Sequence, residues 1–99
     1  MADISAVTST DREIMVELGE RLRALRKARG LTLTQVAERA TLSRRTVART
    51  EQGDNPRLGT LLRLLRVYGR LEALDAFVPE PAVSPMEMLR ELQKAERRG

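Results

Sequence analysis

The stretch that decides the fold of this chain is residues 33–53, LTQVAERATLSRRTVARTEQG. Small and apolar residues recur at helical spacing on both sides of Thr41-Leu42, and Ser43 is a residue type that caps the first turn of a helix. Gly53 follows the second run, and glycine commonly terminates helices. The stretch therefore predicts two short helices joined by a tight turn, with two adjacent arginines at the start of the second helix.

The flanking sequence predicts further helices on both sides of this pair. Thr10 and Glu13 have the spacing of a capping box, so a first helix is expected from about Asp11. Residues 58–68 are apolar on more than one face, which predicts a fourth helix at the centre of a bundle. A short fifth helix is predicted around the apolar residues Leu71, Leu74, Phe77 and Val78. The predicted fold class is all-α, a five-helix bundle followed by a C-terminal extension.

The chain divides, in this interpretation, into a flexible N-terminal tail (1–10), a helical domain (11–78) and a C-terminal extension (79–99). Prolines 79, 81 and 85 predict an extended connector. The sequence SPME at 84–87 has the pattern of a capping box with proline at the first helical position, and it opens a charged segment with a stripe of Met and Leu. The extension is therefore expected to end either in a basic helix or in a frayed, solvated tail.

The composition favours a nucleic-acid partner over an enzyme. Lys and Arg total 18 against 14 acidic residues, a net charge of +4, and all but two of the basic residues are arginine. Arginine offers a flat fork of donors that suits phosphate and guanine edges, although an arginine-rich solvated surface is the alternative on composition alone. Cys and His are absent, which removes thiolate and imidazole chemistry. We expect no enzyme activity, no catalytic residue, no metal and no cofactor.

The scarcity of aromatic residues and the absence of a long apolar run bound the class further. Aromatics make up 2% of the chain, so the core must be aliphatic, and stacking platforms for single-stranded RNA are missing. The N-terminus has no basic leader segment, and no apolar run approaches the roughly 18 residues of a membrane span. We expect a soluble, cytoplasmic protein.

The two-helix pattern resembles the helix-turn-helix of the repressor group related to lambda repressor and Cro, often called the Xre family. The resemblance spans about residues 17–78 and rests on GLT at 30–32, VAER at 36–39, LSR at 42–44 and NP at 55–56. It implies a lambda-repressor-like DNA-binding bundle whose third helix enters the major groove of double-stranded DNA.

The resemblance also implies roles for individual residues. The expected base-reading residues are Arg44, Arg45, Thr46 and Arg49. The expected phosphate-binding residues are Thr32, Thr34, Gln35, Ser43, Asn55 and Arg57. Arg26 and Glu51 hold the positions of a structural ion pair. The candidates for a dimer interface, with capping of the bundle core as the alternative, are Leu71, Leu74, Phe77 and Val78. Arginine can bond O6 and N7 of guanine together, so G-containing half-sites are expected.

The chain departs from the family pattern at three places. Leu33 stands where the family usually has a glutamine that contacts DNA, and leucine cannot make that contact. Thr41 stands at a turn position that often carries glycine because it adopts a left-handed conformation. Thr50 replaces a large apolar residue.

Together these features predict a sequence-specific repressor of double-stranded DNA that binds an inverted-repeat operator as a homodimer. The extension after Pro79 resembles that of HipB-type antitoxins, which are encoded beside HipA-like kinase toxins. This implies a HipA-like kinase toxin as a partner and autoregulation of a type II toxin–antitoxin operon. The alternatives are a stand-alone phage-type regulator, a restriction–modification controller, and a protein-interaction module that has lost DNA binding.

Overall fold

A computed structural model describes residues 8–82 and 84–98, and these residues form helices and no strand. Most of the expected N-terminal tail, residues 1–7, lies outside the described residues. The elements in chain order are α1 (Asp11–Ala28), α2 (Leu33–Ala40), α3 (Arg44–Glu51), α4 (Leu58–Val67), a 3₁₀ turn (Leu71–Ala73), α5 (Leu74–Phe77) and α6 (Pro85–Arg98). The predicted all-α fold class is confirmed.

Helix α1 begins where the sequence places it. The Thr10 hydroxyl accepts a hydrogen bond from the Glu13 amide at 3.2 Å, and the Glu13 carboxylate accepts one from the Thr10 amide at 3.2 Å. These bonds satisfy two donors that the first turn leaves free, and the hydrogen bond from the Thr10 side chain lowers the pKa of Glu13. The α1 helix ends at Ala28, ahead of Gly30, whose φ of +65° suits glycine.

The core is small and is built mainly from α2, α3 and α4. Its buried apolar residues are Leu22, Val36, Ala37, Ala40, Val47, Leu64 and Tyr68. Tyr68 is 1% exposed and was not expected in the core. The Arg29 guanidinium joins the end of α1 to the end of α4, because it donates to the Tyr68 carbonyl at 2.8 Å and lies 5.5 Å from the centre of the Tyr68 ring.

Helix α4 packs by one face. Leu64 is buried, whereas Leu58 is 63% exposed and the remaining apolar residues of the helix are partly buried. The expectation that this helix occupies the centre of the bundle is therefore wrong. Leu61 and Leu65 line a groove beside α1 and α5, and Leu61 also packs against the core.

Helices α1 and α3 cross at Gly19 with no room for a side chain. A Cβ atom at Gly19 would lie 2.5 Å from the Glu51 carbonyl oxygen and 2.7 Å from the Thr50 carbonyl oxygen. From the other side, a Cβ atom at Gly53 would lie 2.7 Å from the Val16 Cα. Backbone meets backbone at both places, so the position of α3 against α1 is fixed at close range.

The chain after α4 differs in detail from the sequence prediction. The expected fifth helix is a 3₁₀ turn followed by the single turn of α5, and Val78 lies beyond its end. The extension does form a helix, α6, whose start is capped as expected: the Ser84 hydroxyl accepts from the Glu87 amide at 3.2 Å. Every side chain of α6 whose exposure is described is exposed.

Candidate nucleic-acid interface

Helix α3 starts at a side-chain cap and has two distinct faces. The Ser43 hydroxyl accepts from the Thr46 amide at 3.0 Å and shares a 2.7 Å hydrogen bond with the Thr46 hydroxyl. The cap leaves the remaining first-turn amides of the helix, with its positive dipole end, directed toward solvent. An anion such as a DNA phosphate is favoured at this end.

The buried face of α3 holds the helix, and the opposite face carries the predicted base-reading residues. Val47, Thr50 and Glu51 are buried. The exposed side carries Arg44, Arg45 and Arg49, with Thr46 partly buried between the two faces. Arg45 and Arg49 therefore project from the side of the helix opposite the core, and Arg44 is exposed at the first position of the helix.

Thr50 is accommodated in the core by its own backbone. Its side chain is buried, at 3% exposure, and its hydroxyl donates to the Thr46 carbonyl at 2.8 Å. A buried hydroxyl with a hydrogen bond avoids most of the desolvation penalty, so the departure from the family pattern at this position does not disrupt the helix.

The far end of α3 is fixed by a buried ion pair between Arg26 and Glu51. The Arg26 Nε donates to Glu51 Oε2 at 2.8 Å and Nη2 donates to Oε1 at 3.0 Å, with the two side chains 12% and 6% exposed. The hydrogen bonding of Arg26 to the Glu51 carboxylate raises the pKa of Arg26. A third donor, Arg26 Nη1, reaches the Leu31 carbonyl at 3.0 Å. One guanidinium thus links α1, the start of the α2 segment and the end of α3.

The loop after α3 returns to the exposed face of the helix. Asn55 has a φ of +31°, and the loop places the Asp54 carboxylate 3.2 Å from the Arg49 Nε, with both side chains more than half exposed. A cleft of about 290 Å³ lies between this loop and α3. The sequence-predicted residues that line this cleft are Thr46, Arg49, Asn55 and Arg57. The Arg49–Asp54 contact was not anticipated from the sequence.

Two of the predicted phosphate-binding residues at the start of α2 form hydrogen bonds with each other. The Gln35 side-chain oxygen accepts from the Thr32 amide at 2.8 Å, and the Thr32 hydroxyl accepts from the Gln35 amide at 3.1 Å. Thr34 is exposed, and Leu33 is partly buried against the core. This end of α2 therefore presents a capped helix start, and the Gln35 side chain keeps only its amide nitrogen for another partner.

The turn between α2 and α3 carries the strain that its sequence suggests. Thr41 has φ 56° and ψ 47°, the left-handed conformation that a β-branched residue rarely adopts. The Arg63 Nη1 on α4 donates to the Thr41 carbonyl at 2.8 Å, a contact that sequence reasoning missed. Arg63 helps to keep the strained turn in place from the neighbouring helix.

The four predicted dimer residues do not form one uniform patch. Leu71 and Leu74 are partly buried, whereas Phe77 is 68% and Val78 73% exposed. Leu74 and Phe77 also line an apolar groove between α1 and α4. The segment thus both packs on the bundle and presents apolar surface.

Two kinds of site are missing from residues 8–82 and 84–98. These residues contain no cluster of three or more acidic groups that could hold a metal ion. None of their helices combines the length and apolar character needed to cross a membrane.

Comparison with known families identifies the class of this domain. A family model described as a helix-turn-helix domain matches residues 17–77. The chain belongs to this helix-turn-helix family. The family occurs in Xre/Cro-like regulators and indicates a DNA-binding regulator, in agreement with the exposed arginine face of α3. No curated protein matches the chain.

Proposed function

We propose that the chain is a sequence-specific repressor that binds an inverted-repeat operator in double-stranded DNA as a homodimer. In this proposal residues 11–78 are the DNA-binding domain, between the tail at 1–10 and the extension at 79–99. The observation that supports it most is α3 itself: three exposed arginines on a helix whose opposite face is buried and whose end is held by the Arg26–Glu51 ion pair. A guanidinium on a rigid helix can approach the O6 and N7 atoms of guanine in a fixed geometry.

The base-reading residues in this proposal are Arg44, Arg45, Thr46 and Arg49. The phosphate contacts come from the ends of elements, where exposed amides and the helix dipole favour negative charge. They are Thr32, Thr34, Gln35, Ser43, Asn55 and Arg57. The dimer contacts come from Leu71, Leu74, Phe77 and Val78.

Electrophoretic mobility shift on the upstream promoter region tests the proposal. We expect salt-sensitive retardation at about 100 mM salt, because phosphate contacts release counterions. Arg45→Ala should relax sequence preference by about 1–3 kcal/mol at one base pair, whereas Arg57→Ala should weaken binding to all sequences similarly. Arg12→Ala is a charge-matched control, because Arg12 is an exposed arginine of α1 that is not among the proposed DNA contacts.

The alternative function, a protein-interaction module without DNA binding, has a distinct outcome. Leu33 supports it, since that side chain packs against the core instead of pointing to a ligand. If the folded protein gives no salt-sensitive shift on its promoter or on unrelated DNA, the DNA-binding proposal is wrong. An unchanged operator preference in Arg45→Ala would instead show that the assignment of base-reading residues is wrong.

The biological setting that we propose is the antitoxin of a type II toxin–antitoxin system that represses its own operon. What supports it is the resemblance of the extension after Pro79 to HipB-type antitoxins. A HipA-like kinase toxin would then be the partner. Co-expression with the product of the neighbouring gene tests this, with co-purification and neutralisation of kinase toxicity as the expected results. A neighbouring gene product that is not a kinase would leave a stand-alone phage-type regulator or a restriction–modification controller as the setting.

A further inference from the structure

An apolar groove lies between α1, α4 and α5, away from the arginine face of α3. It has a volume of about 250 Å³. Its principal lining residues are Leu18, Leu22, Leu25, Leu61, Leu65 and Phe77. Leu18 and Phe77 remain 36% and 68% exposed. A continuous apolar groove on a small domain has a free-energy cost in water that an apolar partner would remove.

Helix α6 exposes a stripe of apolar residues to solvent. Met88, Leu89 and Leu92 fall on one side of it and are 55%, 49% and 61% exposed, with Met86 at the edge of the stripe at 63%. The helix has 14 residues, and isolated helices shorter than about 12–15 residues are marginal in water. Its opposite side is charged. An amphipathic helix of this kind gains stability by placing its apolar stripe in a groove.

The connection between the two features decides which copy of α6 fills the groove. Phe77 lines the groove and is the last residue of α5, and α6 starts at Pro85. The seven residues between them include prolines 79 and 81. Proline-rich segments act as semi-rigid spacers, and α6 beyond this one does not occupy the groove of its own copy, since every described side chain of α6 is exposed and Phe77 is 68% exposed.

We propose that the apolar groove of one copy is filled by the Met88–Leu92 stripe of α6 from a second copy. The exchange is reciprocal, so one two-fold axis buries both grooves and both stripes and leaves no open end for further association. The inference rests on the homodimer in the proposed function and specifies its contacts. It places the exchanged helices next to Leu74 and Phe77, which the dimer proposal already contains.

The absence of cysteine makes a disulfide test direct. In a Leu18→Cys/Leu89→Cys chain, oxidation should link the groove of one copy to α6 of the other and give a non-reducing band at about twice the 11.1 kDa of one chain. Leu58→Cys/Leu89→Cys is the matched control, because Leu58 is exposed but does not line the groove. A disulfide that forms within a single chain would show that α6 covers its own groove and would overturn the proposal, as would equal cross-linking in both variants.

Sedimentation of full-length variants provides the second measurement. Leu89→Glu should become monomeric at concentrations where the unaltered chain is a dimer, and its helical circular dichroism and melting of the bundle should be retained. Arg90→Glu, on the charged side of α6, introduces a larger charge change and should stay dimeric. If Leu89→Glu stays dimeric but no longer co-purifies with the neighbouring gene product, the stripe binds that protein and the proposal is overturned. Both outcomes are independent of whether the unaltered chain shifts its promoter DNA, so failure here is distinct from failure of the proposed function.

Discussion

Replacing Gly19 by alanine adds one methyl group at the place where α1 and α3 touch backbone to backbone. In an exposed helix interior this change stabilises by about 1 kcal/mol, because alanine has the better helix propensity. At Gly19 the new Cβ atom would lie 2.5 Å from the Glu51 carbonyl oxygen, closer than such atoms approach in folded proteins. The neighbouring atoms belong to the backbone and cannot rotate away, so α3 must move.

Overpacking of this kind destabilises by about 1–3 kcal/mol, and a displacement of α3 also disturbs the Arg26–Glu51 pair. For a domain of this size each kcal/mol lowers the melting temperature by about 4–8 °C, so we expect Gly19→Ala to lower it by about 5–20 °C. Thermal unfolding followed by circular dichroism measures the change. Gly59→Ala is the matched control, since Gly59 lies in α4 and a Cβ atom there would have nothing within 4 Å, and it should melt at or above the temperature of the unaltered chain. If Gly19→Ala also melts at or above that temperature, the close approach of α1 and α3 is not as described.

Three further predictions follow from single contacts. Thr41→Gly should raise stability by about 0.5–1 kcal/mol in urea unfolding, because glycine adopts the left-handed conformation at φ 56° without the steric cost that threonine bears; a loss of stability would contradict this. Tyr68→Phe should stabilise by about 1 kcal/mol, because the buried hydroxyl has no hydrogen-bond partner among the described residues. Burial raises the pKa of Tyr68 above its usual value of 10.0, so the folded state favours the neutral phenol; this contribution to stability is complete below pH 10.0 and is lost as pH rises through the folded-state pKa. The melting temperature of Tyr68→Phe should lack this alkaline loss. The same alkaline loss in Tyr68→Phe and in the unaltered chain would refute the assignment. Asp54→Asn should increase affinity for non-specific DNA, because it removes a negative charge. It should also reduce discrimination at the base pair that Arg49 is proposed to read, because that guanidinium loses the carboxylate 3.2 Å away that orients it. Binding to a randomised operator library separates the two effects, and unchanged discrimination would exclude an orienting role.

Local signals in the sequence predicted the helix starts well. Thr10, Ser43 and Ser84 each cap a helix as expected, because capping depends on residues only three positions apart. The inward-facing set Val36, Ala37 and Val47 follows from helical periodicity and is buried. The helical character of α6 also agrees with its capping pattern.

Contacts between distant segments leave no local pattern, and the one that was expected, the Arg26–Glu51 pair, came from the family resemblance. Arg63 reaches the Thr41 carbonyl across 22 positions, and Arg29 reaches the Tyr68 carbonyl across 39. Neither pairing leaves a pattern in a single sequence. The central position expected for α4 was wrong because its leucines indicated burial without indicating what would cover them. The Arg49–Asp54 contact depends on the backbone of the loop, where Asn55 has a positive φ.

The glycine contacts between α1 and α3 mean that the residues that fix the position of α3 differ from the residues that α3 exposes to a ligand. The position of α3 depends on Gly19, Gly53 and the Arg26–Glu51 pair, and none of these belongs to the exposed arginine face. Under the proposed function, substitutions on that face should therefore change which DNA sequence is recognised without lowering the stability of the scaffold. A regulator built this way can acquire a new operator by single substitutions, and duplicated copies can diverge in target while they keep the same fold.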